Sequence, residues 1–273
     1  MSTGKVKNLV IVALAMLNAF LAVFFIWGRA GELSVRREIL EDICAIMRNN
    51  GIGIAPSAID GHTELASYGT SRYTQGEDAL AAAVLGQAEK TESGIISRYA
   101  GQRGTATFNG RGEFVVDVYP GEIDAPDATA RSRELLEDMG LSTGTLTVTR
   151  SGAETSVSAV CTFEGAPVFN CPVRFDYADG SLIRVSGRRA DALRDTAGGG
   201  ISAAAEALLV FLAYVKSEAI PCGGITRAEP GYQFNVGAVG DGELSPGWLI
   251  SADTGEFFVY SGDGTVERAG ISA

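Results

Sequence analysis

The sequence predicts an α+β protein in which an N-terminal transmembrane helix is followed by repeated helix-plus-antiparallel-meander units. Three observations carry this. Residues 9–27, LVIVALAMLNAFLAVFFIW, hold no charge over nineteen positions. At 1.5 Å per residue, such a helix crosses a hydrocarbon core about 30 Å thick. Beyond it, short apolar-periodic helices alternate with runs of strand-like alternation. Helices gathered on one face of an antiparallel sheet make an α+β fold. Asp-Gly and Asn-Gly pairs punctuate the strand runs, as tight hairpins require.

The chain divides on this reading into a cytoplasmic leader (1–7), the transmembrane helix (8–28) and three units at 29–122, 123–196 and 197–273. The apolar run exceeds the 7–15 residues of a secretory signal core, and it ends in Phe24, Phe25, Ile26 and Trp27 with no Ala-x-Ala site. An uncleaved single-pass anchor is therefore expected. Lys5 and Lys7 precede it and Arg29, Arg36 and Arg37 follow, so the basic residues do not set its direction. The short leader favours an inside N-terminus and an extracytoplasmic body at the cell membrane.

Residues 31–50 read as the first helix. Ser34 is its expected N-cap, Ile39, Ile43, Ile46 and Met47 form one apolar face, and Asn49-Asn50-Gly51 stops it. Residues 51–63 are loop-like, and 63–68 form a short strand. Residues 76–88 form a second helix, with Glu77 and Asp78 in the first turn, where acidic groups favour the helix dipole. Strand signals follow at 94–101, 104–110 and 112–121, with a hairpin turn at Asn109-Gly110. The third helix spans 126–140, with Asp127 as N-cap and Gly140 as stop. Strands at 144–150, 154–165, 167–177 and 180–189 complete its unit. Gly198-Gly199-Gly200 reads as a hinge. The fourth helix, 201–216 with Ser202 as N-cap, is too short and carries Glu206, so it is a buried core helix rather than a second span. Strands at 224–236, 247–255 and 255–264 close the chain.

Chemistry is sparse. The net charge of −11 argues against nucleic acid, which needs clustered Lys and Arg. Four cysteines without CxxC spacing and one histidine, His62, make a poor metal set, and no EF-hand pattern occurs. No cofactor is expected. Cys161 and Cys171 flank the hairpin-like turn EGAPV, which leaves two readings open: a disulfide across the strands, or buried thiols, the commoner state. His62 has Ser57 and Ser67 near it in sequence, but no GxSxG elbow frames either serine. Asp117, Glu122, Asp176, Asp253 and Glu256 sit at strand ends, where turn chemistry accounts for the Asp-Gly cases. The expectation is a protein that is not an enzyme. Asn18, in the middle of the apolar run, seeks a hydrogen bond on another helix, and Ala15, Ala19 and Ala22, with Ala13, permit close approach.

The leader and anchor KNLVIVALAMLNAFLAVFFIW, the helix-plus-meander body and the closing stretch GWLISADTGEFFVYSGDGTVE resemble the YycH/YycI family, and YycI the more closely by length. The helix-plus-meander unit is similar to PepSY modules. The resemblance implies a membrane-anchored, non-catalytic regulator in the Gram-positive cell envelope. It would restrain the sensor histidine kinase WalK of a two-component system, together with a paralogous YycH-like protein. Residues 9–27 would then meet the kinase, with Asn18, Ala15, Ala19 and Ala22 as contacts. The alternative is a PepSY-like envelope module that binds a peptide, a wall fragment or a protease. A third reading, an envelope hydrolase, requires a convergent set at His62 or a pair of carboxylates about 5–10 Å apart.

Overall fold

The computed structural model describes residues 37–61, 64–70, 74–190, 193–236 and 242–269. The apolar run 9–27 and His62 lie outside these residues. Among the described residues, no helix is long and apolar enough to cross a membrane. The class is mixed α/β, dominated by one large sheet of fourteen strands with few helices.

Helix α1 (37–49) opens the described chain. Strand β1 (Ala66–Thr70) and helix α2 (Thr74–Leu85) follow. The meander β2 (Ala88–Ser93), β3 (Ile96–Gly101), β4 (Gly104–Phe108) and β5 (Glu113–Val118) comes next. Helix α3 (Ala128–Asp138) precedes β6 (Thr147–Ser151), β7 (Glu154–Phe163), β8 (Ala166–Ala178) and β9 (Ser181–Arg188). After β10 (Leu193–Gly200), helix α4 (Ala204–Ser217) precedes β11 (Ile225–Val236), β12 (Gly242–Ala252), β13 (Gly255–Tyr260) and β14 (Val266–Arg268). A helix thus leads an antiparallel four-strand run three times.

Local chemistry explains the elements. Asp127 caps α3 by accepting from the backbone N–H of Thr129 and Ala130, at 2.9 and 3.1 Å. The Asn109 side chain accepts from Arg111 N and Glu113 N and so closes the β4–β5 turn. Asp179 and Gly180 both take positive φ, as a two-residue hairpin with matching twist demands. Strands β4 and β5 alternate strictly between buried and exposed residues, which marks a sheet covered on one face.

Four sequence expectations change. The Gly-rich stretch at 198–200 is not a hinge: it ends β10, which pairs antiparallel with β1. Ala203, not Ser202, is the α4 N-cap, and Ser202 instead bonds Ser261 and accepts from the Trp248 indole through its carbonyl. Strand β2, AEKTES, escapes the sequence because almost every residue in it is exposed. Helix α1 buries Ile43, Cys44 and Met47, while Ile39 and Ile46 stay 49% and 42% exposed. The packed stripe is narrower than the sequence pattern and is turned toward Leu40 and Cys44.

The strand order is β10-β1-β12-β11-β8-β9-β5-β4-β3-β2, with β6 and β7 continuing from β8, and β13 and β14 from β12. Two cores form. One lies under α2 and α3 and includes Leu80, Leu85, Phe114, Leu135 and Phe175. The other joins α1 and α4 to the last meander through Met47, Phe211, Trp248 and Phe257. Residues 37–61 therefore pack on the C-terminal unit, although they precede the first meander in sequence. Their backbone continues this attachment: Gly53 N donates to Gly223 O at 2.9 Å, and Ile225 N to Gly53 O at 2.8 Å.

Candidate functional site

An open groove lies where α2 ends over the edge of the sheet. Gly86 takes φ +73° and turns the chain from α2 into β2. The β2–β3 hairpin then places Lys90 opposite Tyr99. Tyr99 points under α2 and is buried, so its hydroxyl needs a partner. It donates to Asp78 Oδ1 at 2.6 Å. Lys90 Nζ lies 2.9 Å from the same carboxylate, 2.8 Å from Glu92 and 5.5 Å from the centre of the Tyr99 ring. The result is an open groove of about 1350 Å³ whose walls include Ala81, Leu85, Ala88, Gly101 and Arg103.

Its three titratable groups hold one another in fixed protonation states. Burial, reinforced by the bond to Asp78, pushes the Tyr99 hydroxyl up to about 12, so it stays a phenol at neutral pH. The bond from Tyr99, and then Lys90, holds Asp78 below its usual value. The bond to Glu92 comes first among the causes that raise Lys90, against the cost of burial. An ammonium, a phenol and a carboxylate locked in these states supply neither a general base near neutrality nor an activated nucleophile.

The carboxylates named from the sequence do not converge here. Asp117 on β5 pairs with Arg184 at 2.7 Å. Asp176 on β8 pairs with Arg174 at 2.7 Å and accepts from Ser156 at 2.6 Å. Both stand in register with Arg184 of the intervening strand, on the sheet face away from the helices. Asp253 accepts from Gly223 N, and Glu256 from the Ser251 hydroxyl, so both serve turns and strand edges. Ser57 lies in a 3-10 turn and Ser67 in β1. Among the described residues, no group of three or more His, Cys, Asp or Glu side chains could hold a metal ion.

Cys161 and Cys171 are thiols, not a disulfide. The β7–β8 register breaks at Cys161: Val160 faces Pro172 while Thr162 faces Pro167, so Cys161 takes no β8 partner in the ladder. Its Sγ lies 3.8 Å from Arg188 O, and burial pushes its thiol up to about 12, which leaves it unreactive. Asn18, Ala15, Ala19 and Ala22 lie outside the described residues.

Two structural features escape sequence reading. The Asp78–Tyr99–Lys90 group assembles only through the hairpin register; Ser93-Gly94 was the signal that could have placed Lys90 opposite Tyr99. The second feature is the seam between β8 and β11. There the Asn170 amide donates to Phe234 O and accepts from Phe234 N, both at 2.8 Å, and so substitutes for a strand's backbone pair. The Arg188 guanidinium lies over the Phe234 ring at 4.8 Å and closes the seam.

No family model and no curated protein matches the chain. Among solved structures, the chain matches the C-terminal domain of Bacillus megaterium YpeB, with a TM-score of 0.35 and 13% identity over 74% of this chain and 99% of that one. It is also similar to an uncharacterized protein from Eubacterium rectale, with a TM-score of 0.52 and 8% identity over 76% of this chain and 87% of that one. The second likeness spans three quarters of the chain and is a likeness of fold.

Proposed function

We propose that this chain is a membrane-anchored, outward-facing regulator that acts by contact and not by catalysis, and that its partner is a sensor histidine kinase of a two-component system. On this reading the body consists of PepSY-like units of the kind found in YycI, and residues 9–27 span the membrane. The observation that carries the reading is the attachment of α1. Only residues 28–36 separate the apolar run from a helix whose Ile43, Cys44 and Met47 are built into the C-terminal core. A helix packed in this way gives displacement at its N-terminal end a route to α4 and the last meander, because close-packed interiors transmit strain.

The anchor is then a working surface, with Asn18, Ala15, Ala19 and Ala22 against a kinase helix. The test is to replace residues 9–27 with an unrelated single-pass anchor and follow a reporter driven by the kinase. Loss of regulation with the protein still in the membrane is the expected result. Unchanged reporter output would remove the transmembrane mechanism. Photocrosslinking from Asn18 should capture the kinase.

The groove between α2 and β2 favours a second reading, a PepSY-like module that binds a peptide, wall fragment or protease. It has a helix on one side and the charged strand β2 on the other, with Tyr99, Lys90 and Arg103 on its walls to meet a ligand's apolar and acidic groups. In that case a chain lacking residues 1–28 retains binding, and Lys90→Glu with Tyr99→Ala abolishes it.

A further inference from the structure

Among the described residues, β6 pairs only with β7, so one side of its backbone is left open. An open strand edge presents a row of N–H and C=O groups, and proteins ordinarily guard it with charge, proline or shortness. The other edges have such guards. Strand β2 carries Glu89, Lys90 and Glu92 among its six residues, β10 carries the adjacent charges Arg194 and Asp195, and β14 is three residues long. Strand β6, Thr-Val-Thr-Arg-Ser, has one charge, no proline and three adjacent β-branched residues, and all five residues are exposed. Val148 is 37% exposed yet stands directly opposite Val157, which is fully buried. The apolar face of the second unit therefore runs out to the rim of the sheet and stops there without cover.

We infer that β6 pairs antiparallel with β6 of a second copy, about a two-fold axis through Val148. The strand is self-complementary in this register. Val148 meets Val148, Thr147 meets Thr149, and Leu146 meets Arg150, so no like charges face each other. This matters in a chain of net charge −11, where copies repel over most of their surface. The strip at β6 is where two copies can meet with a neutral centre and a single cation each. Pairing satisfies the open backbone groups and covers both Val148 side chains, giving a sheet continuous through two molecules. An isologous contact of this kind closes at a dimer and does not propagate. Five residues a side is a smaller contact than a standard interface of about 1,600 Å². The dimer is therefore weak in dilute solution and needs covalent trapping to be seen.

The test uses the full chain with Cys222→Ser, which removes the half-buried thiol and leaves the three buried ones. Val148→Cys in this background, oxidised and run without reductant, should trap a disulfide-linked dimer. Thr91→Cys on the guarded β2 edge should remain monomeric and reports random collision. A mixture of Thr147→Cys and Thr149→Cys proteins should trap more dimer than either alone, because these positions face each other. Adding Thr147→Lys and Thr149→Lys to the Val148→Cys protein places like charges opposite one another and should abolish the band. Thr91, Thr147, Val148 and Thr149 are exposed, and an unchanged circular dichroism spectrum checks that the fold survives. Trapping by the Val148→Cys protein no greater than by the Thr91→Cys control would overturn the inference. So would a band that survives the two lysines, or capture of a different protein in place of the second copy.

Discussion

Asn170 is the residue on which two parts of the sheet depend. Strand β11 meets β8 through a single parallel pair, Tyr232 opposite Val168, and beyond it the Asn170 amide supplies both hydrogen bonds to Phe234. Asn170→Ala leaves a backbone N–H and C=O at the seam without partners. It should cost about 1–3 kcal/mol in urea unfolding, the penalty of an orphaned buried pair. At Gly231, nearby on β11, a Cβ would sit 2.6 Å from both the Phe169 ring and Pro167 O, so the close approach of the two strands requires glycine. The groove makes a pH prediction. Asp78 is held below its usual value, chiefly by the Tyr99 hydroxyl, so the stability it adds is complete above the unfolded carboxylate value of about 4. That contribution is lost as pH falls through the folded value. Tyr99→Phe should move the Asp78 carboxyl titration upward in NMR, and Asp78→Asn should flatten the acid limb of the stability curve.

At the scale of elements, the sequence is readable where local chemistry decides and silent where tertiary position decides. Asp127 announces α3 and Asp179-Gly180 a hairpin, because capping and positive φ are local demands, and Asn109 announces its turn through the side-chain bonds it accepts from Arg111 N and Glu113 N. Strand β2 has no apolar alternation, since an edge strand outside the core buries neither face. Strand β10 is Gly-rich and becomes a strand through its pairing with β1, more than a hundred positions away in the chain. In α1 the 3.6-residue period is correct, but the period alone does not tell which of two adjacent stripes is packed. The groove was hidden for the same reason: Asp78 and Tyr99 are brought together by the crossing of α2 over β3. Met47 is the best probe of α1, being fully buried in the C-terminal core. Met47→Ala should cost about 2–5 kcal/mol. It should also raise hydrogen exchange across 37–61 before the rest of the body, and uniform exchange would mean that α1 is not a separable attachment.

At the scale of the molecule, the three meanders share one sheet, but the joints between them differ. The first and second units meet through an antiparallel pair of last strands, β5 and β9. The second and third meet through the parallel contact of β8 with β11. Both joints are backed by core residues, because Tyr232, Phe234 and Leu244 of the third unit belong to the core under α2 and α3. Unfolding should therefore be a single transition. In a Trp27→Phe background, Trp248 fluorescence reports the third unit and far-ultraviolet circular dichroism the whole, and their urea midpoints should coincide. Separate midpoints would mean that the seam at Asn170 is too weak to couple the units.

The inequality of the two joints limits what this architecture can become. In a solenoid, each module docks on the last by the same operation, so modules can be gained or lost and the array still folds. Here the first joint uses the final strand of both partners, and the second uses the opening strand of the later one. No single rotation and translation generates the third module from the second as the second comes from the first. A fourth module grafted after β14 would find a last-strand edge of only three residues, against the six of β5 at the first joint. The three modules are therefore not copies placed by one repeating step, and duplicating one of them within the gene would not lengthen the sheet by a rule already in use.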